Sequence, residues 1–148
     1  MSQPPSLTLN RWINAPRAKV YAAWTDPTQL SRWFGPATVA STDAELDVRT
    51  GGRFRIAMHG QDAQTNEVSG IYREVVRDEK LVFTWAWSTT PQRISQVTVR
   101  FQDDGAGTLL TLMHEQFFDD EARDRHASGW SQSLDKLVEH FQLEETTR

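Results

Sequence analysis

Between Asp119 and Gln142, the residues Ala122, His126, Trp130, Ser133/Leu134, Leu137/Val138 and Phe141 recur at three- and four-residue steps. That is the repeat of one face of an α-helix. Glu121, Asp124, Arg125, Gln132, Asp135, Lys136 and Glu139 fall on the other side, which reads as solvated. Asp119, Asp120 and Glu121 stand at its start, where negative charge complements the helix dipole. At about 1.5 Å per residue the helix is roughly 35 Å long. Its apolar stripe needs a partner, and most of the chain before it is strand-like. A sheet with one apolar face has the same need, so the expectation is a sheet that wraps this helix.

The earlier elements follow from local patterns. Ser6–Asn14 alternates with period two, with a slip expected near its middle. Asn14-Ala15-Pro16 opens a short helix, and Asp26-Pro27-Thr28-Gln29 starts a second: Asp as cap, Pro at the first position, Gln reaching back to the cap's N–H. Leu30, Trp33 and Phe34 face inward, and Gly35-Pro36 ends that helix. Strands follow over 38–48 (the least regular), Arg53–His59, Glu67–Arg77, Leu81–Ser88, Ile94–Gln102 and Thr108–Phe118. Asp78-Glu79-Lys80 and Asp103-Asp104-Gly105-Ala106-Gly107 are reversal signals between them. The class is α+β: a curved antiparallel sheet of about six to seven strands around a long C-terminal helix, with two short helices after strand 1. One domain is expected over 6–142, with flexible termini at 1–5 and 143–148. A cavity is expected between the concave sheet, the short helices and the long helix.

Bulk properties exclude several function classes. The 148 residues include six Trp and seven Phe, ample for a core burying about 70% of the unfolded surface. Sixteen basic and twenty acidic residues are interspersed, with no basic stripe for nucleic acid. There is no Cys, so no disulfide, thiolate ligand or thiol nucleophile. No signal peptide and no apolar run of about 20 residues is present, so a cytoplasmic protein without a membrane partner is expected. His114-Glu115 continues to Phe118 where a zinc motif would place its second histidine, and neither a Gly-x-Ser-x-Gly elbow nor a phosphate loop occurs. No cofactor or metal is expected.

Several strings, in order, resemble one known family: Asn14-Ala15-Pro16 with Val20-Tyr21 and Trp24; Arg32-Trp33-Phe34-Gly35-Pro36; Gly51-Gly52-Arg53-Phe54; Gly70-Ile71-Tyr72-Arg73-Glu74-Val75; Leu81-Val82-Phe83-Thr84-Trp85; Val97 to Phe101; Gly107-Thr108 through His114-Glu115; and Gly129-Trp130 with Leu134 and Leu137. Together they span residues 7 to 142. The chain resembles the AHSA1-like branch, named after the C-terminal domain of the activator of Hsp90 ATPase. That branch lies within the helix-grip superfamily of START, Bet v 1 and polyketide cyclase proteins. The resemblance implies a helix-grip fold and, for a single domain of this kind, ligand binding in the cavity. A cyclase- or hydratase-like enzyme and a stress-related, chaperone-interacting module are alternatives. The last ranks lowest, because the few residues before the first strand carry no counterpart of the activators' Asn-rich, Trp-containing motif.

The expected partner is an apolar or aromatic small molecule. Phe54, Ile56, Phe83, Trp85, Trp87, Val99 and Phe101 are the candidate lining, with Trp130 and Leu134 from the long helix; ordinary core packing is the competing reading. Trp33 is read as guarding the entrance, against a plain role stapling its helix to the sheet. His114, His126 and Tyr72 are the polar candidates, either orienting a guest and moving protons or serving as structural groups. Arg100 is expected to face solvent. Homodimerisation through a sheet edge or the long helix is left open.

Overall fold

The computed structural model describes residues 4–146, with side chains through 142. Seven strands, β1 (Leu7–Ile13), β2 (Val39–Leu46), β3 (Arg53–Gly60), β4 (Thr65–Val76), β5 (Lys80–Trp87), β6 (Ser95–Asp104) and β7 (Gly107–Glu115), form one antiparallel sheet in the order β1-β7-β6-β5-β4-β3-β2. Helices α1 (Arg17–Thr25) and α2 (Pro27–Leu30) connect β1 to β2, and α3 (Asp120–Thr146) ends the chain. Register shifts in β2 after Val39 and in β4 between Tyr72 and Glu74 mark bulges. An extra residue on one strand of a pair bends and twists it, which curls the sheet around α3.

The strand β1 runs in unbroken register from Leu7↔His114 to Ile13↔Thr108, so the expected slip is absent. Arg11 belongs to the inward row of Leu7, Leu9 and Ile13. Its guanidinium bonds Asp135 Oδ1 at 3.0 Å and Ser131 Oγ at 2.9 Å on α3. A basic residue on the helix-facing row imitates a register break while acting as a tether.

At α2, Asp26 Oδ1 accepts the Thr28 N–H at 2.9 Å, as a cap should. Gln29 does not reach the Asp26 N–H, because that donor already bonds Ala22 O to end α1. Gln29 Nε2 instead donates to Asp26 Oδ2 at 3.4 Å. Gly35, at φ +109°, then turns the chain away, a conformation that L side chains rarely adopt.

Asp119 Oδ1 caps α3 by accepting the Ala122 N–H at 2.8 Å. The helix is 27 residues long, about 40 Å, and runs four residues past the expected end at Gln142. Its face toward the sheet buries Ala122, Trp130, Ser133, Leu134, Leu137 and Phe141. Each large apolar side chain among these contributes about 1.5–3 kcal/mol of burial. Arg100 is exposed, as expected. Of the termini expected to be flexible, Pro5 is tied down by its carbonyl, which accepts the Phe117 N–H at 3.2 Å. Residues 1–3 and 147–148, and the side chains from 143 onward, lie outside the described set.

Candidate functional site

A cleft of roughly 530 Å3 opens between the sheet, the chain after α2 and the N-terminal half of α3. Alternation along β5 brings Trp85 and Trp87 to it, one pleat apart. Helical spacing brings His126, Gly129, Trp130 and Ser133, with Arg125 at the border. Phe34, Gly35 and Pro36 come from the chain after α2, Met58 and Asn66 from β3 and β4, and Thr89, Thr90 and Arg93 from the β5–β6 turn.

The rim after α2 is fastened to the helix. Ser133 Oγ accepts the Gly35 N–H at 3.1 Å while donating to Gly129 O at 3.0 Å. Gln132 Oε1 accepts the Ala37 N–H at 2.8 Å, and Lys136 Nζ reaches Pro36 O at 3.4 Å. These bonds tie the walls of the cleft to one another.

Two imidazoles organise its floor. The Nε2 of His126 accepts the indole N–H of Trp87 at 2.8 Å and that of Trp85 at 3.3 Å. Its Nδ1 lies 2.7 Å from Ala122 O, which can only accept, so the proton resides on Nδ1. His114 Nδ1 accepts the Trp130 indole N–H at 3.0 Å. Its Nε2–H then donates to Ser95 Oγ at 2.7 Å, and that hydroxyl passes its own proton toward Trp85 O at 3.3 Å. Both rings are neutral and fully used. Burial pushes His114 well below the usual histidine range, and His126 beside it pushes further the same way. Burial also lowers His126, with Arg125 adding to it and the Ala122 carbonyl opposing. All three indole N–H groups end inside the wall, so the tryptophans present mostly apolar ring surface to the cleft.

Trp85, Trp87, His126 and Trp130 of the expected lining border this cleft; the other candidates sit elsewhere. Phe54, Ile56, Tyr72 and Phe83 surround a void of only about 10 Å3 between the sheet and the α1–α2 segment, where packing is nearly complete. Val99, Phe101 and Leu134 are core, with Tyr21 packed edge-on against Phe101. Trp33 is fully buried rather than placed at an entrance. Its indole donates to Ala23 O at 3.0 Å and its ring packs on Trp24, so it staples α2 to α1. Tyr72 is no general base, since burial, Tyr21 and Asp47 all raise its phenol and keep it protonated. His114, with no exposed surface and both nitrogens bonded, is structural.

The residues that sequence reasoning missed are mostly in turns. Thr89, Thr90 and Arg93 lie in a polar reversal whose side chains carry no periodic signal. Arg125 falls on the nominally solvated face, one position from His126. Gly129, in mid-helix, offered a signal: glycine there is unfavourable by about 1 kcal/mol relative to alanine and calls for a reason.

Among the described residues, no group of three or more His, Cys, Asp or Glu is placed to hold a metal ion. None of the described helices is long and apolar enough to cross a membrane. The family model described as Activator of Hsp90 ATPase homolog 1-like protein matches residues 14–142. The fold superposes on the AHSA1 protein of Silicibacter pomeroyi with a TM-score of 0.82, at 28% identity over 95% of this chain and 99% of that one. A protein from Chromobacterium violaceum gives 0.81 at 25% identity, covering 93% and 98%. CalU16 of Micromonospora echinospora gives 0.71 at 27% identity, covering 96% and 79%. No curated protein matches the chain.

Proposed function

The chain belongs to the activator of Hsp90 ATPase homolog 1-like family, with its helix-grip fold, and on that footing we propose that it binds an apolar or aromatic small molecule in the cleft between β5 and α3. One observation carries the reading. The cleft is the size of a small-molecule site and is walled by Trp85, Trp87 and Trp130, whose polar atoms are spent on two neutral histidines. Such a wall recognises flat apolar surface and supplies no reacting group. A cyclase or hydratase in the same cleft would need a free acid or base there. His126, the titratable ring on the lining, has neither nitrogen available.

The test uses Gly129. A Cβ built there meets nothing within 4 Å, so a larger side chain enters the open cleft instead of the core. Wild type should enhance the fluorescence of 1-anilinonaphthalene-8-sulfonate, and Gly129→Leu should abolish the enhancement while its circular dichroism is unchanged. Undiminished dye binding by a folded Gly129→Leu protein removes the cleft as the binding site. Native mass spectrometry of freshly purified protein would reveal a retained guest whatever its chemical identity.

A further inference from the structure

Acidic residues outnumber basic ones twenty to sixteen along the chain, yet the cleft inverts this balance. Its lining includes Arg93 and Arg125 and no carboxylate. Arg125 is already paired, donating to Glu121 Oε1 at 3.0 Å one helical turn away. Arg93 makes no side-chain hydrogen bond or ion pair among the described residues. Its guanidinium lies 3.8 Å from the centroid of the Phe118 ring. Phe118 is 63% exposed, whereas its neighbour Phe117 is the one that packs into the core. A ring beneath a guanidinium positions the charge without neutralising it, and all five N–H donors of Arg93 stay available to an anion. The same turn brings the hydroxyls of Thr89 and Thr90 to the lining, while Phe34, Trp85 and Trp130 form its apolar part.

We propose that the guest is an aromatic acid, a planar apolar compound bearing one carboxylate, phenolate or sulfonate, and that Arg93 is the counter-ion for its charged end. This rests on the cleft's being the binding site, and adds to that reading the chemical class of the occupant. Arg125 has the smaller share, because Glu121 competes for it.

Two dyes with the same rings separate the charge from the rings: 1-anilinonaphthalene-8-sulfonate, and N-phenyl-1-naphthylamine, which lacks the sulfonate. Arg93 is exposed, so its substitution leaves the core untouched. Arg93→Gln should weaken the sulfonate dye about fivefold, the scale of a partly solvated ion pair, and leave the neutral dye within about twofold. Arg93→Glu should weaken the sulfonate dye further, and added salt should weaken it more in wild type than in Arg93→Gln, where only the smaller share of Arg125 remains. Equal losses for both dyes, or a sulfonate affinity indifferent to Arg93, would overturn the assignment while leaving the cleft in place. If wild type binds neither dye, the cleft reading falls and this one with it.

Discussion

The imidazoles of His114 and His126 stand nearly perpendicular, ring centroids 5.1 Å apart, and neither ring has a nitrogen to spare. A proton added to either would oppose indole N–H groups that already point at the accepting nitrogen. In the unfolded chain both histidines take up a proton near pH 6.5; in the native state both resist it. Below that pH the unfolded state therefore binds more protons, and stability falls as pH drops, by at most about 1.4 kcal/mol per pH unit for each histidine. Urea midpoints at pH 7.5, 6.5 and 5.5 should decline across the series. His126→Gln should flatten the decline. A midpoint that holds steady or rises at pH 5.5 contradicts the locked neutral pair.

Trp24 and Trp33 pack against each other with ring centroids 4.7 Å apart, in the same buried cluster, but their polar atoms fare differently. Trp33 donates to Ala23 O, whereas Trp24 Nε1 is buried without a protein acceptor among the described residues. Replacing either by Phe removes similar ring volume, and only Trp33→Phe also breaks a hydrogen bond. It should therefore cost about 1 kcal/mol more than Trp24→Phe. Equal costs in urea titrations would mean that the indole bond adds nothing net.

The elements that carry a period were legible in the sequence, and the cleft was only half legible. Alternation in β3 and β5 and the helical repeat of α3 follow from burial of one face, so composition along the chain records them. That record does not separate a cavity wall from a packed core. Phe83 and Trp85 share one face of β5, yet Phe83 packs against Phe54 and Tyr72 while Trp85 borders the cleft. What distinguishes them is where α3 and the chain after α2 cross the sheet, a long-range property. The choice between the two roles open to His114 was undecidable for a similar reason: its partners Ser95 and Trp130 are 19 and 16 residues away. Arg93 was hidden most deeply, since its meaning comes from a turn folding back over Phe118.

Asp78 closes the turn between β4 and β5 with φ of 64°, where a side chain is strained and a β-branched one more so. Asp78→Val should destabilise by about 1–2 kcal/mol. Asp78→Gly should be neutral or stabilising by about 0.5 kcal/mol, because relief of strain is partly offset by the freer unfolded chain. Thermal melts of the two variants should move apart in these directions. A Val variant as stable as wild type would show that the turn adopts another conformation.

Gly129 separates folding from binding. It lies nine residues inside α3, where alanine is favoured over glycine by about 0.5–1 kcal/mol, and no neighbouring atom would obstruct a methyl group. Packing thus gives no reason to keep a glycine there, whereas the cleft beside it does. Gly129→Ala should raise the melting temperature by a few degrees and weaken the fluorescent dye modestly; Gly129→Leu should fold as well and bind far worse. Stability and affinity would then move in opposite directions, as expected where a residue serves the site at the expense of the fold. An alanine variant less stable than wild type would mean that the space over Gly129 is filled by the protein itself, and a leucine variant with full affinity would mean that the guest never touches this part of the helix.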